Sequence, residues 1–126
     1  MILADQPGIF PSDVTVAVSS RGDGTMLNRK GDFHASDIVR NRQAFCERAG
    51  VDYNDCVYQL VTYEPDESFR SLVEVTNEQT TARMAELHGD GLFTKEKGVG
   101  LFLPVADCVA TVVYDPIRHF LALLHL

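Results

Sequence analysis

Strand-like and helix-like segments interleave along this sequence and predict a fold of the mixed α/β (α+β) class. Three observations carry that expectation. Short apolar runs rich in β-branched and aromatic residues recur at 56–63, 109–114 and 119–124. One segment, 37–49, spaces its apolar residues for a helix instead. Turn chemistry built on Gly, Pro and Asp punctuates the chain between them.

Residues 1–12 contain Pro7-Gly8 and Pro11-Ser12 and read as an irregular arm, leaving 13–126 as the folded part. Val14-Thr-Val-Ala-Val18 reads as a short buried strand. Ser19 to Lys30 is loop by composition, and its Arg21-Gly-Asp-Gly24 fits a plain turn better than a phosphate cradle, because no P-loop pattern surrounds it. Ser36-Asp37 supplies a helix N-cap, Ile38, Ala44, Phe45 and Ala49 follow at helical spacing, and Gly50 supplies the stop. Cys56 to Tyr63 is a strand ended by Glu64-Pro65-Asp66, and Phe69 to Val75 is a candidate for another. Thr76 to Leu87 is polar and compatible with a helix. His88-Gly-Asp-Gly91 is a turn, and Leu92–Thr94 and Val99–Val105 are strands on either side of Lys95-Glu-Lys-Gly98, with Pro104 marking an edge or bulge.

A length of 126 residues suits one modest core. The net charge of −7, with no compensating basic run, argues against nucleic acid as a partner. The apolar stretches fall well short of the roughly 20 residues of a membrane helix, so no membrane partner is expected. Three irregularly spaced cysteines and no signal-like start point to reduced thiols in a cytoplasmic protein. The chain stops inside its most apolar segment, His119 to Leu126. That suggests a shortened chain, or a strand completed by another copy through the truncated edge.

The last two runs form the most informative unit. Asp115-Pro-Ile-Arg118 opens a type I turn, and a four-residue loop there pairs Tyr114 with His119. That register sets Cys108 opposite His125, with Cβ atoms about 4.5–5.5 Å apart. Three readings of the pair stand open. A thiolate and an imidazole are two ligands of a zinc-type ion, with His88 or His34 as candidates for a third. Without metal, an imidazole beside a thiol favours the nucleophilic thiolate, as in a cysteine hydrolase; Asp107 points to the other face of a regular strand and orients neither. In the third reading the cysteine fills space and the histidine is simply hydrogen-bonded, as expected also of Cys46 and Cys56 in the core.

Several segments bear on this choice. Val105-Ala-Asp-Cys108, Val112-Val-Tyr-Asp-Pro116 and Ala122-Leu-Leu-His125, preceded by Gly89-Asp-Gly-Leu-Phe-Thr94, Asn41-Arg42, and Ser20-Arg21 with Asn28, occur in one order. Together they resemble the laccase-domain family, also called multicopper polyphenol oxidoreductase or purine nucleoside phosphorylase-like, over about residues 14–126. The resemblance implies a mixed sheet with flanking helices, of the type shared with cytotoxic necrotizing factor catalytic domains, present as its N-terminal part. It also implies a zinc-type site of two His and one Cys, with copper in older descriptions. The implied reactions are phosphorolysis of adenosine, inosine, guanosine and methylthioadenosine, and deamination of adenosine, with the nucleoside and phosphate as small-molecule partners. By position, Cys108 and His125 match the Cys and the second His, as metal ligands and catalytic residues. The family's first His lies in a Gln-Val-His segment; here the run is Gln59-Leu-Val61, and Val61 cannot bind a metal. A non-catalytic, truncated or divergent member is therefore the alternative to an active enzyme.

Overall fold

In the computed structural model, described for residues 8–61 and 71–126, contacts divide the chain into two compact units, Met1–Tyr53 and Asn54–Leu126. The expected strand end at 62–63, the Glu64-Pro65-Asp66 turn and the start of the 69–75 strand lie outside the described residues.

The first unit is built around α1 (Ser36–Arg48), close to the expected 37–49. Its buried face is Ile38, Arg42, Phe45 and Cys46, at the i, i+4, i+7, i+8 spacing of one helical stripe. Both ends differ in detail from the expectation. Ser36 is the first helical residue, and Ala35 occupies the cap position without a side-chain bond. The entry is organised upstream: Asp32 accepts the His34 N–H on Oδ1 at 2.8 Å and the Ala35 N–H on its carbonyl at 3.3 Å. At the other end Ala49 is the cap, Gly50 donates to the Glu47 carbonyl at 3.0 Å, and Val51 donates to the Cys46 carbonyl at 2.9 Å. This is a Schellman closure, and it places Gly50 at φ 77.

Ahead of the helix, Arg21–Asp23 forms a single 3-10 turn. Asp23 accepts from the Ser20 amide at 2.7 Å and is paired with Arg48, so the glycine-rich stretch is a plain turn, as expected. The Val14–Val18 run does not form the expected buried strand. A lone bridge residue occurs at Val18, which is 54% exposed. β-branched residues favour a strand through packing on a sheet, and no ladder is assembled along this run.

Among the described residues the second unit holds seven strands: β1 (Cys56–Leu60), β2 (Leu72–Glu74), β3 (Leu87–His88), β4 (Gly91–Thr94), β5 (Gly100–Phe102), β6 (Ala110–Asp115) and β7 (Phe120–His125). One sheet is parallel, in the order β3-β1-β5; the other is mixed, in the order β2-β4-β7-β6. All five β1 residues are buried, as befits the middle strand of a parallel sheet covered on both faces. The strands β4 and β5, close in sequence, go to different sheets. Val57, Val75 and Leu92, with no exposed surface, and Val99 make the core cluster, with Val73, Leu87 and Leu101 packed against it, so both sheets feed one core. Each such side chain contributes about 1.5–3 kcal/mol by leaving water.

The 76–87 segment is not a regular helix. It makes one 3-10 turn, Asn77–Gln79, after which Thr81 donates to the Cys56 carbonyl at 2.7 Å and Ala82 to that of Asn54 at 3.3 Å. Amides that a helix would turn inward are spent on tethering the segment to the start of β1. Only one α-helix occurs among the described residues, where helices in the plural were expected.

The terminal hairpin forms, with its register two residues from the expected one. Asp115 pairs with Phe120, Tyr114 with Leu121 and Ala110 with His125. Asp115 is the last paired residue instead of the first loop residue, because its Oδ1 accepts the amides of Ile117 at 2.9 Å and Arg118 at 3.1 Å. His119, the last loop residue, turns the chain back at φ 51. Its Arg118 partner, then the Arg118 and Ile117 amides, hold the Asp115 carboxyl below the usual carboxylate range.

Two outcomes follow. Replacing Gly50 by Ala forces a left-handed conformation on a residue with a Cβ, costing about 1–2 kcal/mol in urea unfolding. The Asp115 side-chain carboxyl, followed by carbon NMR, titrates below the ~3.9 of a free Asp, and Arg118→Ala moves it upward. Because the folded-state value is the lower one, the loop's contribution to stability is present above that free value and disappears as pH falls through the folded one.

Candidate functional site

β7 lies between β4 and β6, and its last residue, His125, is ringed by backbone pairing. Its amide donates to the Asp90 carbonyl at 2.9 Å, one step beyond the Gly91–Leu124 pair. Asp90 and His125 therefore face each other across the sheet, and Asp90 Oδ1 lies 3.5 Å from His125 Nδ1. The His125 side chain is only 10% exposed. A carboxylate against an imidazole is the usual device for orienting a histidine that binds a metal or moves a proton.

Asp90 itself is braced. Its amide donates to Ser71 at 3.2 Å, and the preceding Gly89 donates to the Leu60 carbonyl at 3.3 Å. Gln59, fully buried in β1, donates from Nε2 to the Gly89 carbonyl at 2.9 Å. Its other polar atom, Oε1, is buried with no hydrogen-bond partner among the described residues. An orphaned buried acceptor costs about 1–3 kcal/mol.

Cys108 does not stand opposite His125, as the expected register had it; Ala110 does. Pairing continues one step further, with Val109 and Leu126 exchanging two bonds of 2.9 Å, and Cys108 follows immediately beyond it. An even shift of register preserves faces, so Ala110, Val112, Leu121 and Leu123 still share a face with His125, while the expected partner is missed. Residues 106–108 bend away from strand geometry. That bend lets the Cys108 thiol donate to Asp107 Oδ1 at 3.7 Å, a contact that a regular strand forbids.

None of the three cysteines is in a disulfide; Cys46 and Cys56 lie at 3% exposure in the core, as expected, and Cys108 is half-buried. Among the described residues no three His, Cys, Asp or Glu side chains group closely enough to hold a metal ion. His88 Nε2 instead meets Glu86 at 3.1 Å, and neither it nor His34 completes a cluster with Cys108 and His125. Val61, just past β1, is apolar where the resemblance calls for the first His. A complete three-ligand centre thus does not fit the described residues.

Asp90 and Gln59 were not singled out from sequence. The signal was nonetheless there, since both sit in the segments that carry the resemblance, Gly89 to Thr94 and Gln59 to Val61. In the first unit, Asn41-Arg42 also has a structural task. Asn41 Nδ2 donates to the Thr25 carbonyl at 2.9 Å, and Arg42, with no exposed surface, reaches the carbonyls of Met26 at 2.8 Å and Phe33 at 2.7 Å and the Tyr53 hydroxyl at 3.3 Å. Gly24 lies against Asn41 at φ 83, where a Cβ would come within 2.6 Å of Nδ2.

Known proteins resemble this chain in sequence and in fold. The chain is 28% identical to the purine nucleoside phosphorylase YlmD of Bacillus subtilis (strain 168) over 95 residues, covering 71% of this chain and 32% of that protein. It is 26% identical to the purine nucleoside phosphorylase SACOL1200 of Staphylococcus aureus (strain COL), covering 93% of this chain and 48% of that protein. The chain thus spans from a third to about half the length of these relatives. Two crystal structures match in fold at 28% identity. They are the hypothetical protein YfiH of Bacillus licheniformis (TM-score 0.60, 70% of this chain, 33% of that one) and YlmD of Geobacillus stearothermophilus (TM-score 0.59, 71% and 33%). Residues 19–126 match the family described as multi-copper polyphenol oxidoreductase laccase, and the chain belongs to that family.

Proposed function

We propose that this chain carries the Cys–His part of a site for purine nucleoside chemistry. The reactions are phosphorolysis of adenosine, inosine, guanosine or methylthioadenosine and deamination of adenosine. The observation that carries the reading is His125, nearly buried, with its ring nitrogen against Asp90. The naming of the relatives as purine nucleoside phosphorylases supplies the substrate class. In phosphorolysis an oxygen of phosphate bonds to the sugar carbon as the bond from that carbon to the purine nitrogen breaks. The bonding pair leaves with the base, which then takes a proton. In this reading His125, as the imidazolium, delivers it, and Cys108 is the second functional side chain at the same end of the hairpin.

In the metal form of the proposal, Cys108 and His125 are two donors of a zinc-type centre, with zinc or copper as the ion. Two donors make a weak site, and no step of the reaction is assigned to the ion. The lack of a three-donor cluster among the described residues favours a second reading, a metal-free Cys–His hydrolase. Three cysteines outside any disulfide are consistent with a reducing, cytoplasmic setting. The outer edge of β6, exposed at Val109 and Val113, is where a second copy would add.

Titration with Co²⁺ tests the metal form. One equivalent is expected to bind with a thiolate-to-metal absorption band that Cys108→Ala abolishes. Uptake of less than about a tenth of an equivalent by the intact chain overturns it. Activity is read as phosphate-dependent release of hypoxanthine from inosine and adenine from adenosine. His125→Ala is expected to lower the rate by about 100-fold or more. Rates unchanged in both Cys108→Ala and His125→Ala would refute the site.

A further inference from the structure

We infer that Asp90 is the positioning residue for His125, holding its ring in the Nδ1–H tautomer, and that Gln59 sets Asp90 through the Gly89 carbonyl. The inference deepens the proposed function and rests on it for the chemical use of His125, whereas the tautomer stands on geometry alone.

An ionised carboxylate only accepts hydrogen bonds, so an imidazole nitrogen facing Asp90 Oδ1 at 3.5 Å is the one that carries the proton. The lone pair is then on Nε2, the nitrogen through which His125 would bind a metal or take and give a proton. Three bonds hold the backbone that carries the carboxylate. Ser71 accepts the Asp90 amide, His125 donates to the Asp90 carbonyl, and Gln59 Nε2 donates to Gly89 immediately before it. Loosening that backbone would let the carboxylate move away from a ring it reaches only at 3.5 Å.

Gln59 gives the second, independent observation. Its side chain is fully buried, and Oε1 has no partner among the described residues. A leucine would fill the same space without an orphaned acceptor, so packing alone does not explain an amide here. What the amide adds is the bond from Nε2 to Gly89, and that bond acts on Asp90.

Long-range proton–nitrogen NMR of the ¹⁵N-labelled 126-residue chain, at a pH that keeps the ring neutral, reads the tautomer directly, with His125→Ala giving the assignment. The Nδ1–H form is expected in the parent chain. Asp90→Ala is expected to shift His125 toward Nε2–H, the form favoured by free imidazole in water, and Asp90→Asn, whose amide oxygen still accepts, to restore much of the Nδ1–H form. Gln59→Leu is expected to melt no lower than the parent yet to show a mixture of tautomers. A parent in the Nε2–H form, or a tautomer indifferent to Asp90→Ala, overturns the role of Asp90. A Gln59→Leu chain with the parent's tautomer, whatever its melting temperature, overturns that of Gln59. Where nucleoside turnover is measurable, Asp90→Ala is expected to lower it about 10–100-fold. Absence of turnover in a parent chain with the Nδ1–H tautomer rejects the proposed function and leaves the positioning role standing.

Discussion

β7 is hydrogen-bonded along both edges, to β4 on one side and β6 on the other. This double pairing is the constraint on which the rest of the second unit depends. Leu123 faces Leu92 across one edge and Val112 across the other, and Ala122, at 2% exposure, sits between Phe93 and Val113. Slipping the strand by one residue would exchange its two faces and carry Leu123 away from the row of Leu92 and Val112. Slipping it by two would keep every face but remove Asp115 from the loop amides and His125 from Asp90. The register that satisfies the loop is therefore the register that builds the site.

The same reasoning shows what the sequence could and could not reveal. Hydrophobic alternation reports parity, so it identified the hairpin, its two strands and the face that Ala110, Val112, Leu121 and Leu123 share with His125. It cannot tell registers two residues apart. That choice was made by a side chain, the Asp115 carboxylate, which bonds two amides beyond Pro116 and so needs Asp115 as the closing pair. The helix was legible because its stripe, from Ile38 to Cys46, and its glycine stop are both local signals. The Val14–Val18 run was misleading because strand propensity is mostly a statement about neighbours that a lone segment lacks.

Chemistry-bearing residues were legible as types and not as partners. His125 was identifiable, yet Asp90 becomes its partner only through pairing between β4 and β7, a contact that no local pattern encodes. Cys108 illustrates the reverse. A regular strand would have carried it on and directed Asp107 to the far face, whereas the bend at 106–108 brings Asp107 to the thiol. The two halves of the site thus differ in kind. His125 is held by strand pairing and a braced carboxylate, and Cys108 by a turn just beyond the last paired residues.

The segments that carry the family resemblance separate by task along the same line. Asn41 and Arg42 spend their donors on loop carbonyls and a buried hydroxyl, so they shape the backbone of the first unit. Gln59 likewise spends its one satisfied donor on a backbone carbonyl. It leaves an acceptor orphaned, at a cost that a purely structural residue would avoid. That cost is what separates Gln59 from Arg42. A buried polar group with several partners is explained by the backbone it holds. One left half-satisfied points to what the held backbone presents, which here is the Asp90 carboxylate facing His125.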